Sequence, residues 1–314
     1  MNKSNFDNLK YILLILSECA IFGFSFVVLQ ILFDLGCPSF LLMSLRFFIG
    51  FVSLLAFKIL INYKNKGPSK INFKKNELLY GSICGVFLFV AFGMQTCGAY
   101  YTTSARNALF TALYVIIVPL FMSFIKKKFS CKTFFVAFLC FIGVLVLNIE
   151  GIDSNQFNVG DVLSIVCAVF FAVHFCLLDS FSKKSIDFIN FTAVQIFVVF
   201  VLSGIFSLTV EFNLYSFVVW EKAIWWLLFL GIISTAITYY IQTVVQANLS
   251  VNTVSVLSCS ETVFAVVMSL MLGYDTYSWQ LIVGLIIIVS AMVCASIQSQ
   301  KKIKGTGLRT RKQE

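Results

Sequence analysis

Five ionisable side chains interrupt long apolar runs in this sequence of 314 residues: Glu18, Arg46, Arg106, His174 and Glu261. A charge inside a hydrocarbon layer is costly, so such groups pair, line a cavity or act on something that passes. A buried carboxylate with no basic neighbour holds a proton or receives an amine. Glu261 suits that role best. Helical rise places it about 16 Å into its run, near the middle of a core about 30 Å thick. Glu18, about 12 Å into the first run, reads either as a structural partner or as a cavity group for an amine or a proton. Arg46 lies about 10 Å from the far end of the second run. Its depth is close enough to that of Glu18 for an ion pair between the first two helices. It serves either as a clamp there or as a substrate contact. His174, the only histidine, is a packing hydrogen-bonder or a proton relay. Arg106 stands near a helix end and is expected to snorkel to the interface, the alternative being a gate at the outer vestibule.

Neutral polar groups join this set. Tyr114, Gln95, Gln195 and Gln242 fall within apolar runs, where an amide needs a partner and therefore faces inward. Each either lines the cavity or binds a neighbouring helix. The candidate substrate-binding residues are thus Glu18, Arg46, Gln95, Tyr114, His174, Gln195, Gln242 and Glu261. No Walker A motif, HExxH or GxSxG occurs, and one histidine with scattered carboxylates makes no catalytic constellation. The ten cysteines form no CxxC pair and read as small buried hydrophobes. No enzyme activity, cofactor or metal is expected.

The elements that carry these residues follow from composition. Hydrophobic residues make up 60% of the chain and charged residues only 12%. A soluble surface needs about twice that charge. Runs of about 20 apolar residues span a membrane as helices. They are placed at 10–32, 39–62, 78–100, 104–125, 132–150, 160–181, 188–210, 223–245, 250–273 and 278–299. The first run is too long for a signal-peptide core. The runs are continuous and lack the two-residue alternation of a barrel strand. The fold class is therefore all-α integral membrane, with ten transmembrane helices.

Charge orients them. Of 23 basic residues, 20 fall on the side that holds both termini, from Lys3 and Lys10 through Lys126 to Lys128 and on to the tail. Lys222 alone faces the other side, with Asp34, Glu150, Asp153, Asp161, Glu211, Glu221 and Asp275. The positive-inside rule makes both termini cytoplasmic in the cell membrane. The net charge of +9 is thus an orientation signal beside anionic lipid, and no nucleic-acid partner is expected.

The sequence also repeats. Cys19-Ala20-x-Phe22 returns as Cys167-Ala168-x-Phe170, Gln95-Thr96 as Gln242-Thr243, and Phe129-Ser130 as Tyr277-Ser278, each 147 or 148 residues on. This spacing divides the chain into five-helix halves at 1–151 and 152–300, with a basic tail at 301–314. Five is odd, so the halves take opposite orientations. Inverted repeats are a common plan for transporters, with the substrate held at the midplane between them.

Particular stretches resemble a known family. They are Phe22-Gly23, Gly36-x-Pro38 and Leu45-Arg46-Phe47, then MQTCGAYYTTSARNALFTALYVIIVP at 94–119. HFCLLDSFSKK, Gln195 and Glu261-x-Val-Phe-Ala follow in the second half. Their order and spacing resemble the EamA-type group of the drug/metabolite transporter superfamily. Phe22 stands where that group has Trp, Thr262 where Pro commonly follows Glu, Asp275 where Glu is common, and Arg106 where small residues are favoured. The resemblance implies two EamA-like repeats and a secondary transporter. Its substrate would be a small polar or amphipathic metabolite, with an amino-acid-like solute admissible, exported by alternating access. A proton is a candidate coupling ion, and membrane lipid is the other partner. A membrane-embedded lipid-modifying enzyme or a non-transport sensor is the alternative. The oligomeric state is left open.

Overall fold

The computed structural model describes residues 3–64, 71–102, 104–149, 157–184, 186–271 and 278–310. Lys70, Glu150, Asp153, Ser154 and Asp275 lie outside these residues. Among the described residues, ten helical spans are long and apolar enough to cross a membrane. They run Leu9–Asp34, Ser39–Lys64, Lys75–Ala99, Arg106–Lys126, Cys131–Asn148, Val159–Ser182, Phe188–Ser216, Trp220–Asn248, Val251–Met268 and Trp279–Gln298. Each coincides with one of the ten predicted runs. Helices are required because lipid offers backbone N–H and C=O groups no partner outside their own segment.

The helices are α1 (Lys3–Asp34), α2 (Ser39–Lys64), α3 (Lys75–Tyr101), α4 (Ser104–Thr111), α5 (Tyr114–Lys126), α6 (Cys131–Asn148) and α7 (Val159–Ser182). They continue with α8 (Phe188–Phe206), α9 (Trp220–Leu228), α10 (Thr238–Asn248), α11 (Val251–Ser258), α12 (Ser260–Met271) and α13 (Trp279–Thr310). Large apolar side chains cover the outside: Leu60, Phe124, Phe135 and Val210 are among the most exposed. The buried set is enriched in Ser, Thr, Asn and Gln. This inversion of the soluble pattern follows from a solvent as apolar as leucine, in which close packing and interhelical hydrogen bonds hold helices together.

Helices from the first five spans pack on helices from the last five. α3 lies on α7 and α8, α2 on α8, α6 on α13, α1 on α10 and α12, and α5 on α7. One crossing is especially tight. A Cβ on Gly23 would stand 2.6 Å from the Cβ of Phe264, so only glycine lets α1 reach α12 there.

Two spans are broken in mid-membrane. The fourth pauses at Ala112–Leu113 between α4 and α5, and the ninth pauses at Cys259 between α11 and α12. The backbone closes these gaps with tight turns: Val115 N–H donates to Ala112 O at 3.1 Å, and Thr262 N–H to Cys259 O at 3.2 Å. Pro119 weakens the fourth span further, since it has no N–H for the carbonyl four residues back. The eighth span is also irregular. Phe229–Ile237, between α9 and α10, is π-helical, and Thr235 donates its hydroxyl to Leu230 O five residues earlier at 2.8 Å. Wide turns of this kind concentrate at functional sites.

Candidate functional site

Both breaks fall at the centre of the bundle and meet there. Tyr114 opens α5 and Glu261 lies in the first turn of α12. The Tyr114 hydroxyl and the Cys259 Sγ are 3.9 Å apart, which ties one break to the other. Half-helices α5 and α12 therefore begin at the same place, where the positive ends of their dipoles favour negative charge. Glu261 occupies such an end. Glu261 and Tyr114 lie deep in the bundle yet keep part of their surface accessible, as groups lining an internal space do.

Glu18 faces the same centre. It is 1% exposed, within electrostatic reach of Glu261, and its Oε2 has no hydrogen-bond partner. Arg46 is the nearby cation, close enough to Glu261 and Tyr239 for their charges to interact. The expected Glu18–Arg46 ion pair does not form. Instead Arg46 donates from Nε to Thr235 Oγ1 at 3.1 Å and from Nη2 to Ser234 O at 3.4 Å. Its guanidinium also sits 5.4 Å from the Phe47 ring centre and 6.0 Å from that of Phe92. The reason is the π-helical stretch. It turns a hydroxyl and a carbonyl toward α2, and these take the fork that Glu18 was expected to hold. Arg46 thus belongs to the packing of the second span on the eighth, with its charge left facing Glu261.

Aromatic rings close the space around these groups. Tyr239 meets Phe22 at 5.9 Å and Phe47 at 5.8 Å between ring centres. Phe92 meets Phe171 edge-on at 5.4 Å, and Tyr114 stacks on Phe175 at 5.3 Å. The lining thus pairs two carboxylates and one guanidinium with a wall of π faces. Such a wall suits a small solute that carries charge at one end and apolar surface at the other.

The remaining predicted residues lie on α3, α7, α8 and α10. His174 on α7 lies beside Gln195 on α8, within interaction range but not aligned for a hydrogen bond. Both are buried. Gln242 on α10 is buried one turn from Tyr239, on the same face. Gln95 is half-buried toward the far end of α3, where its carbonyl accepts Asn107 Nδ2 at 3.1 Å.

Arg106 does not snorkel. It is buried and bonds Asp161 at the start of α7 through two atoms, Nε to Oδ1 at 2.9 Å and Nη2 to Oδ2. Asp161 also accepts the Thr102 hydroxyl at 2.8 Å and the Asn158 N–H at 2.9 Å. Gly160 lets the helices close over this pair, since a Cβ there would meet Thr102 N at 2.7 Å. Fully partnered burial replaces the interface as the home of the charge.

Two features were missed in the sequence. Tyr239 needed only its place one turn from Gln242, on the buried face that also carries Thr238 and Thr243. The helix breaks had a weaker signal, in that Pro119 marked one and no proline marks the other.

Comparison with known proteins agrees with this architecture. The model of the EamA-like transporter family matches residues 9–149 and 158–297. An uncharacterized transporter of Archaeoglobus fulgidus is 26% identical over 282 residues, which cover 88% of this chain and 83% of that protein. The uncharacterized transporter YetK of Bacillus subtilis is 25% identical over 295 residues, with 90% and 85% covered. A solved crystal structure superposes with a TM-score of 0.76 at 18% identity, over 93% of this chain and 99% of the other, and shares the fold. Two family matches in tandem, ten spans and relatives named as transporters lead to one statement: the chain is a multi-pass membrane protein of the EamA-like transporter family, within the drug/metabolite transporter superfamily.

Proposed function

We propose that the protein is a secondary transporter that exports a small amine-bearing, amino-acid-like metabolite across the cell membrane. The observation that carries this reading is the meeting of two broken spans at the centre of the bundle. Glu261 stands there with Glu18, beside Arg46 and a ring of aromatic faces. Two carboxylates attract an amine or hold protons between cycles. Arg46 and the half-helix ends favour a carboxylate on the same solute. The aromatic wall takes the apolar body.

The sequence halves 1–151 and 152–300 act as two inverted five-helix repeats that rock about this centre in alternating access. The 147-residue offset supports the assignment, because it carries Ala112 onto Cys259 and Tyr114 onto Glu261. The two breaks are then equivalent positions of one unit. Proton coupling follows if Glu261 exchanges its proton for the substrate amine. The lysine-rich end, with both termini and the basic tail at 301–314, faces the cytoplasm.

A thermal-shift panel of zwitterionic amino acids and primary amines on the purified protein identifies the solute class. Counterflow of a hit in proteoliposomes without ATP then tests transport. Stabilisation by amines, lost in Glu261→Gln, is the expected result. Stabilisation only by solutes that lack an amine would remove the assigned role of the carboxylates.

A further inference from the structure

The central carboxylates are not the end of the polar path. Below them, toward the lysine-rich end, a buried polar stripe descends the π-helical stretch and α10 at helical spacing. It runs from Ser234 through Thr238, Gln242 and Thr243 to Gln246. Thr243 meets Thr192 on α8 hydroxyl to hydroxyl at 2.9 Å. Gln195 lies one turn along α8 from Thr192, and His174 on α7 lies beside Gln195. Helical rise puts Gln246 about 3 Å, Gln195 about 10 Å, His174 about 12 Å and Tyr239 about 14 Å from that end. The stripe therefore reaches from the cytoplasmic lysines almost to Glu18 and Glu261, both of which interact electrostatically with Tyr239.

The hydrogen-bonding state of these groups is unusual. Both nitrogens of His174 and both polar atoms of Gln195 and of Gln246 are buried without a partner, as are Gln242 Oε1 and Ser234 Oγ. Gln195 and Gln246 expose none of their surface. Native structures seldom leave buried polar atoms unpaired. The unpaired set mixes donors and acceptors. A cation would be served by the oxygens alone and an anion by the N–H groups alone. Water both donates and accepts, and typically makes about three hydrogen bonds when buried among such groups.

We propose that this stripe binds a file of water that joins the lysine-rich end to the central site. The file would hydrate Glu261 from one side of the membrane only, and would give its proton a route through His174, Thr243 and Tyr239. That use rests on the proton-coupled reading of Glu261; the water file itself does not.

Radiolytic hydroxyl-radical footprinting of the unaltered protein tests it, because the radicals form from water in place and mark the side chains beside it. Normalised for intrinsic reactivity, His174 and Tyr239 should oxidise severalfold faster than the equally buried Leu32 and Leu227 at the other end of the bundle. Gln246→Leu closes the mouth and should lower the mark on His174 severalfold. Oxidation of His174 at the rate of Leu32 in the unaltered protein overturns the proposal. Should Gln246→Leu fold and leave the mark unchanged, the continuous file is overturned too. A Glu261→Gln variant with normal pH dependence would remove proton coupling while leaving the footprint intact, so the two readings fail separately.

Discussion

At the scale of single residues, the bundle distinguishes charges that are spent on structure from charges left free. Arg106 and Asp161 are spent. The pair is fully buried and each partner is hydrogen-bonded, so removing one strands the other. Arg106→Ala should cost about 3–5 kcal/mol of stability. Combining Arg106→Gln with Asp161→Asn should recover part of that loss in thermal melting, since it leaves no charge unpaired; no recovery would mean that the pair is not the source. Glu18 and Arg46 behave differently. They hold no direct bond, so Glu18→Ala and Arg46→Ala should shift the melting temperature additively. A large coupling in the double variant would mean that they touch. Glu261 is the free charge. Glu261→Gln keeps shape and hydrogen bonding, and should melt like the parent while transport falls severalfold or loses its pH dependence. An unchanged pH profile in proteoliposomes would reduce Glu261 to a packing residue. Polarity at depth marked eight residues in the sequence, Glu18, Arg46, Gln95, Tyr114, His174, Gln195, Gln242 and Glu261, without saying which of them would meet. Who bonds whom was not legible either. Arg46 chose Thr235 over Glu18 because a local widening of the eighth span turned a hydroxyl toward it, and no residue type in that stretch announces a π turn.

At the scale of elements, the spans were legible because about 20 apolar residues have only one way to satisfy their backbone in lipid. Their breaks were not. Hydropathy does fall at 258–262 beside Cys259 and at Thr111 and Tyr114 beside the other break. Polar residues of these types also sit in unbroken helices, and the interruption itself lies in the hydrogen bonding. The helix ends at the lysine-rich face are more ordinary. Asp187 caps α8, with Oδ1 accepting the N–H of Ile189 at 3.0 Å and of Asn190 at 3.1 Å, while its other oxygen binds Lys58. Burial pushes its pKa up, but the Lys58 contact and these N–H groups outweigh burial and hold it below the ordinary carboxylate value. The sign follows: the folded state binds this proton less tightly than the unfolded one. The stabilisation is present above the ordinary carboxylate pKa of about 4 and is lost as pH falls through the lower folded value. Asp187→Ala should cost about 1 kcal/mol as a lost cap. Its difference from the parent should shrink in melts taken below about pH 4. A difference that persists unchanged into acid would assign the effect to packing.

At the scale of the whole molecule, orientation rests on charge alone. The described lysines from Lys10 through Lys58, Lys126 and Lys184 share one end, and Asp34, Asp161, Glu211 and Glu221 share the other. Lys70→Cys should therefore resist an impermeant thiol reagent added outside intact cells, and Ser154→Cys should react with it. Labelling of Lys70→Cys from outside would invert the molecule and place the water file on the other side. The packing of first-half helices on second-half helices also constrains motion. No rigid half can leave the other without sliding α2 on α8 and α6 on α13.

The seam in the ninth span has a practical consequence for anyone who handles this protein. Three thiols from three helices converge on the last turn of α11. Cys19 reaches Leu257 O and Ser258 O at 3.7 and 3.8 Å, Cys140 reaches Val256 O at 4.0 Å, and Cys259 reaches Ser255 O at 3.8 Å. These carbonyls end a helix in mid-membrane, where water is scarce and few N–H groups remain for them; the Cys259 N–H serves Val256 O at 3.2 Å and the Ser260 hydroxyl serves Leu257 O at 2.7 Å. A cysteine-free background, the usual starting point for site-directed labelling, would remove the thiol donors from that turn beside Glu261 and leave it the residue 259 N–H and the Ser260 hydroxyl. Alanine at positions 19 and 259 should lower the melting temperature and disturb the central site, whereas serine, which keeps an O–H, should restore most of both. The eight buried or half-buried cysteines are best left in place, with only Cys131 and Cys294, the two on the surface, removed to give a silent background.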